Sequence, residues 1–171
     1  MRKVLRTKIE KIKLVITDVD GVLTDGGMYY TKDGDYMKKF FVRDGMGVTL
    51  LKKKGIPTII VTKEKSIVTK KWSTNMNIEK LYWGILKKED ILNKVCKDYK
   101  IKSQEVAYIG DDINDIELLK LVGLSATPSD ALDGVINICD YTCSHSSGNG
   151  AFRELADLIL SVQNNKRKKN L

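Results

Sequence analysis

The stretch Leu14-Val-Ile-Thr-Asp18-Val-Asp20-Gly21-Val-Leu-Thr24 decides how the rest of the chain is understood. Residues 12–17 are a compact, β-branched run, the pattern of a strand buried on both faces. Two carboxylates follow at once, with a single residue between them and a glycine behind. Extended backbone sends residues two apart to the same side, so Asp18 and Asp20 are expected to face one direction. Acids at the mouth of a buried strand suit a ligand site, because a core would leave them unpaired at high cost.

Similar runs recur at residues 55–62, 105–110, 124–127 and 141–143. Helical spacing fills the gaps between them. Ile91, Leu92, Val95, Cys96 and Tyr99 recur every three or four positions, as do Phe152, Leu155, Ala156 and Ile159. Shorter helices fit residues 45–54 and 115–122. Alternating strand and helix implies βαβ units, hence an α/β fold with a Rossmann-like, mainly parallel sheet flanked by helices. One segment breaks the alternation. Residues 28–30 and 37–42 flank Thr31-Lys-Asp-Gly-Asp35, whose Asp33-Gly34 favours a tight turn. The expectation is a single domain over residues 1–171, with a β-hairpin inserted after the first strand and no separate cap domain.

In such a sheet, ligands bind beyond the carboxyl ends of the strands. Asp18 and Asp20 follow the first strand, and Thr62, Lys63 and Glu64 follow the second. Gly110-Asp111-Asp112-Ile-Asn-Asp115 follows the third, and Lys88 starts the helix that leads into it. Each piece alone has an ordinary explanation as a turn, a helix cap or a surface charge. Together they do not, because buried strand ends seldom collect several carboxylates without a cation. Asp18, Asp111 and the Asp20 backbone carbonyl form a hard-oxygen set suited to Mg²⁺. Asp18 beside such an ion can attack phosphorus and form an aspartyl-phosphate. Asp20 is placed for general acid and base work, and Thr62 and Lys88 for holding phosphoryl oxygens. Asp112 and Asp115 fall to positioning or to the outer shell of the metal.

This set resembles the haloacid dehalogenase superfamily of phosphatases. Asp18-Val-Asp-Gly-Val-Leu-Thr24, Thr62, Lys88 and Gly110-Asp-Asp-Ile-Asn-Asp115 match its four motifs in order, across residues 14–122. Thr24-Asp-Gly-Gly-Met-Tyr-Tyr30, Phe41-Val-Arg-Asp-Gly-Met-Gly47 and Gly148-Asn-Gly-Ala-Phe-Arg-Glu154 narrow the likeness. They look like the small capless branch that includes 3-deoxy-D-manno-octulosonate 8-phosphate phosphatase, over about residues 12–162. The resemblance implies Mg²⁺, a cytoplasmic location and an acidic ulosonate sugar phosphate as substrate. It also implies a homotetramer in which neighbouring hairpins help close each site. Thr62-Lys63-Glu64 departs from the Thr-Gly-Arg usual in the octulosonate enzymes. An acid in the third place resembles relatives acting on nonulosonate, sialic-acid-type 9-phosphates, whereas Arg43-Asp-Gly resembles the octulosonate group. Arg43 and Lys63 are the candidates for the sugar carboxylate, with Glu64 a further sugar contact. A non-catalytic assembly domain of a sugar-activating pathway is the remaining alternative, and the retained Asp18, Asp20, Lys88, Asp111 and Asp115 stand against it.

Composition narrows the classes further. With 42% hydrophobic and 30% charged residues in 171, the chain is neither disordered nor fibrous. The net charge of +8 is concentrated at the ends. Residues 1–13 hold six Lys or Arg against one acid, residues 163–171 hold four against none, and residues 14–162 hold 20 against 21. Basic tails over about residues 1–12 and 163–171 are expected to be solvated, with neither nucleic acid nor membrane as partner. Cys96, Cys139 and Cys143 are too irregular for a disulfide framework or a zinc site and suit a reducing compartment. The lone His145 is expected in a loop near the rim of the site, and Trp72 and Trp83 in the core rather than as sugar platforms.

Overall fold

The computed structural model describes residues 3–169. Six strands are β1 (Leu14–Thr17), β4 (Thr58–Val61), β5 (Lys80–Tyr82), β6 (Val106–Ile109), β7 (Leu124–Thr127) and β8 (Tyr141–Thr142). They form one parallel sheet in the order β5-β4-β1-β6-β7-β8. β2 (Tyr29–Thr31) and β3 (Gly34–Met37) make a separate antiparallel hairpin, inserted between β1 and α2 (Val42–Lys53). β1, β4, β6 and β7 are buried along their whole length, which is why their sequences are near-continuous apolar runs.

The pleat divides the core into two layers. Val15, Ile60, Ala107 and Leu124 pack against Ile9, Val48, Leu51, Phe152, Leu155 and Ile159. These come from α1 (Lys3–Ile9), α2 and α7 (Ala151–Lys169). Leu14, Ile16, Ile59, Val61 and Tyr108 face the other way, against Leu92, Val95, Leu118, Leu119 and Val135. Those belong to α4 (Asp90–Tyr99), α5 (Ile116–Leu121) and α6 (Asp133–Ile136). The strands thus carry the alternation of a two-sided sheet, and all their carboxyl ends open on one edge.

Several boundaries differ from the sequence expectation. The second hairpin arm stops at Met37 rather than Val42, because Val42 already opens α2 and Phe40 only bridges back to Thr24. The second strand covers Thr58–Val61 only, since Gly55 turns at φ +76° and Pro57 lacks an N–H. β5, α6 and α3 (Ile67–Asn75) were not anticipated; Ser66 caps α3 by accepting from the Thr69 N–H at 3.2 Å. The basic N-terminal segment is not simply solvated. Within it, Lys3–Ile9 is helical, Ile9 and Ile12 are buried, and Gln163 Nε2 donates to both their carbonyls. The backbone of α7 likewise stays helical to Lys169. Residues 1, 2, 170 and 171 of the expected tails lie outside the described residues.

Candidate active site

Two strand ends and two connecting turns converge on a buried group of charges. Asp18 follows β1, Asp111 follows β6, Asp115 closes the 3₁₀ turn Ile113–Asp115, and Lys88 precedes α4. The Lys88 ammonium is fully enclosed, 2.7 Å from Asp18 Oδ2 and 2.6 Å from Asp115 Oδ1. Asp115 accepts three further hydrogen bonds: the Tyr108 hydroxyl at 2.5 Å, the Asp111 N–H at 2.9 Å and the Asp112 N–H at 3.2 Å. Its lone pairs are therefore committed. Asp18 Oδ1 and Asp111 Oδ1 are in the opposite condition, buried with no hydrogen-bond partner among the described residues. Gly21 makes their approach possible. Its φ is +86°, and a Cβ there would lie 2.0 Å from Asp111 Oδ2.

Three carboxylates share one ammonium, so the cluster is short of positive charge. Burial lifts the Asp18 carboxyl to about 7; Lys88 opposes the rise and the Asp115 charge adds to it. Burial likewise lifts Asp111 to about 8, with Asp18 and Asp115 pushing the same way. Burial alone would lower the Lys88 amine, but the Asp18 and Asp115 charges hold it above its ordinary value. One oxygen each from Asp18, Asp111 and Asp115 lies within 4.8 Å of the others. Two orphaned oxygens in an all-oxygen set fit a hard divalent cation. The saturated Asp115 fits an orienting role behind them.

Beside this cluster lies a cavity of about 410 Å³ lined by Asp18, Asp20, Met28, Tyr30, Thr62, Lys63, Glu64, Asp112 and Asn114. Its far wall is the hairpin. A second charge group joins two of the lining residues: Lys38 Nζ lies 2.6 Å from Asp20 Oδ1 and 3.3 Å from Glu64 Oε2. Thr24 Oγ1 reaches the same Asp20 oxygen at 3.2 Å, and the Tyr30 hydroxyl donates to Glu64 Oε1 at 3.2 Å.

The structure thus brings together Asp18, Asp20, Thr62, Lys63, Glu64, Lys88, Asp111, Asp112 and Asp115. Thr62 is buried and Lys63 exposed. Arg43 and His145 lie elsewhere. They line a separate cavity of about 380 Å³ with Phe41, Arg153 and Glu154, where Arg43 stands 5.8 Å over the Phe41 ring. Within the single chain, Arg43 is not part of the Asp18 cavity, and His145 is not on its rim. Trp72 stacks on Phe40 at 4.6 Å against the core, while Trp83 is half-buried under Lys70; neither lines the Asp18 cavity. Lys38 and Tyr108 were missed by sequence reasoning. Tyr108 offers a weak signal, a hydroxyl inside the apolar run of β6, and Lys38 offers none.

Known proteins bear on this geometry. Residues 59–155 match the family model described as haloacid dehalogenase-like hydrolase. The 3-deoxy-D-manno-octulosonate 8-phosphate phosphatase of Haemophilus influenzae is 37% identical over 159 residues, covering 93% of this chain and 88% of that protein. A cobalt-bound structure of the H. influenzae phosphatase superposes with a TM-score of 0.90 at 38% identity, covering 92% of each chain. The Moraxella catarrhalis phosphatase, solved with a magnesium ion, a phosphate ion and a KDO molecule, also gives 0.90, at 34% identity over 94% of this chain and 92% of that one. Fold, motif order and relatives agree, and the chain belongs to the haloacid dehalogenase-like hydrolases.

Proposed function

We propose that this protein is a Mg²⁺-dependent phosphomonoesterase that removes the terminal phosphate of an acidic 3-deoxy-ulosonate sugar phosphate, 3-deoxy-D-manno-octulosonate 8-phosphate being the first choice. The observation that carries the chemistry is the pair of orphaned oxygens, Asp18 Oδ1 and Asp111 Oδ1, at the edge of an open cavity. The substrate choice rests on the relatives, which this chain matches over nine-tenths of its length. Asp18, Asp111 and the Asp20 carbonyl would hold the Mg²⁺, which when bound neutralises phosphate charge and polarises a phosphoryl oxygen.

The residues then divide the work. An Asp18 oxygen bonds to phosphorus as the ester P–O bond breaks, and Asp20 gives the departing alkoxide its proton. Asp20 next takes a proton from water, whose oxygen attacks the phosphorus and frees Asp18 and inorganic phosphate. Thr62 and Lys88 hold the phosphoryl oxygens as the charge redistributes. Asp115 and Asp112 keep Lys88 and the Asp111 loop in place. Lys63 and Glu64 face the sugar. Arg43 contributes, in this reading, only across a subunit boundary.

Assembly follows from the hairpin. Met28, Tyr29, Tyr30, Tyr36 and Met37 are 44–73% exposed, more apolar surface than an isolated ribbon can cover. A symmetric homotetramer with neighbouring hairpins over each site accounts for it. The free thiols Cys96, Cys139 and Cys143 fit a reducing cytoplasm, and among the described residues no helix is long and apolar enough to cross a membrane.

One observation favours a second substrate. Glu64 stands in the cavity wall, which suits a nonulosonate 9-phosphate richer in hydroxyls. Phosphate release should be measured across octulosonate 8-phosphate, nonulosonate 9-phosphates and hexose phosphates, with Mg²⁺ and with chelator. The octulosonate ester is expected to lead by at least about tenfold in kcat/KM, with activity lost on chelation. A lead for the nine-carbon esters reassigns the sugar, and no Mg²⁺-dependent release from any ester removes the phosphatase reading.

A further inference from the structure

We propose that Lys38 is a positioning residue for proton transfer, holding Asp20 in the orientation that protonates the leaving group. The inference rests on the reading of Asp20 as the acid and base.

The Lys38 side chain has no exposed surface, although it comes from the foot of a hairpin whose other residues are largely open to solvent. Burying an ammonium is costly unless it is paired and hydrogen-bonded. An apolar side chain of similar length would fill the same space without that cost. What distinguishes Lys38 is where its charge goes, to Asp20 Oδ1 at 2.6 Å and to Glu64 Oε2 at 3.3 Å. Its enclosed ammonium is directed at Asp20 and Glu64, so its effect on the site runs through those carboxylates.

The contacts on Asp20 are one-sided. Lys38 Nζ and Thr24 Oγ1 both reach Oδ1, and among the described residues no hydrogen bond falls on Oδ2. A carboxyl group gripped by one oxygen keeps the other for an exchangeable proton, at a fixed place beside Asp18. Proton transfer demands such placement, since a donor must sit within about 2.6–3.2 Å of the oxygen it protonates. Thr24 alone supplies a single longer bond from the same loop. Lys38 supplies a second, shorter bond to the same oxygen, from the foot of the hairpin.

A merely structural strut and a proton-positioning residue differ in their dependence on the leaving group. An alkoxide needs its proton as the P–O bond breaks, whereas p-nitrophenolate leaves without one. The comparison uses kcat/KM, which reports steps up to phosphoryl transfer and excludes later hydrolysis of the phospho-enzyme. In Lys38→Met, kcat/KM for a sugar phosphate should fall about 10–100-fold while that for p-nitrophenyl phosphate changes less than about threefold. Lys38→Gln, a gentler change, should show the same split at smaller amplitude and keeps the test open if Lys38→Met does not fold. Lys38→Arg should recover part of the sugar phosphate rate. Equal losses on the two esters, or none on either, would overturn the proposal. Asp20→Asn is measured alongside. If it shows the split and neither Lys38 variant does, only the Lys38 inference fails; if Asp20→Asn leaves both esters unaffected, the role of Asp20 itself is wrong.

Discussion

Asp18 and Asp111 each hold a buried oxygen to which the described residues give no partner, so their cost to the fold and their use in chemistry have one origin. Asp111→Asn should relieve charge crowding among Asp18, Asp111 and Asp115, and it should remove a metal ligand. The expected result is a metal-free protein that melts a few degrees higher than wild type, gains little further stability from Mg²⁺, and loses phosphate release by at least about a hundredfold. Calorimetry with and without Mg²⁺, beside a phosphate assay, checks it; an Asp111→Asn variant as active as wild type removes Asp111 from the metal site. The acids at this site were legible in the sequence because several of them gather behind apolar runs, a combination that turns and helix caps explain only one piece at a time. Lys38 was not legible. Its partners Asp20 and Glu64 are 18 and 26 residues away, and nothing in Met37-Lys38-Lys39 says which lysine turns inward. Arg43 shows the converse: its motif neighbours suggested the site, and within the single chain α2 carries it to another cavity.

At the scale of elements, the start of α7 shows how local chemistry holds the edge of the sheet. Glu154, in its first turn, accepts from the Tyr141 hydroxyl at 2.6 Å, the Ser144 hydroxyl at 2.8 Å and the His145 N–H at 3.1 Å. Burial alone would raise this carboxyl, but hydrogen bonds from the Tyr141 hydroxyl, the Ser144 N–H, the His145 ring and the Ser144 hydroxyl hold it at about 2, below its ordinary 4.5. A depressed folded value means the stabilisation is complete above pH 4.5 and is lost as pH falls toward 2. Glu154→Gln should therefore cost about 2–3 kcal/mol at pH 7 and flatten the acid limb of the stability profile between pH 4.5 and 2. Urea titrations across that range measure it, and an unchanged acid limb would show that the network holds without the charge. Asp44, which accepts from the Arg153 N–H at 2.8 Å, tilts the profile the other way. Burial raises it to about 6, so its contribution weakens as pH climbs from about 4 to 6. Elements buried on two faces, such as β1 and β6, were readable from composition alone. β5 is an exposed-to-half-buried edge of three residues, and α3 and α1 are lysine-rich with short apolar stripes. Their order comes from docking on the sheet, which local pattern does not record.

For the molecule as a whole, the hairpin is where uncovered large side chains crowd most closely along the chain, from Met28 to Met37. Tyr29 and Tyr36 are 50% and 73% exposed on its two arms, and neither lines the Asp18 cavity. Replacing both with Ser should shift sedimentation from a tetramer to smaller species while leaving the aspartate cluster intact. A native protein that sediments as a fully active monomer would dispose of the assembly. The same ribbon ends in Lys38, the residue that grips Asp20. In the proposed tetramer one end of the hairpin would meet neighbours while the other reaches Asp20, so settling the outer end would also steady the inner one. If the proposed assembly holds, a newly made subunit that has not yet met its copies would idle on esters with poor leaving groups.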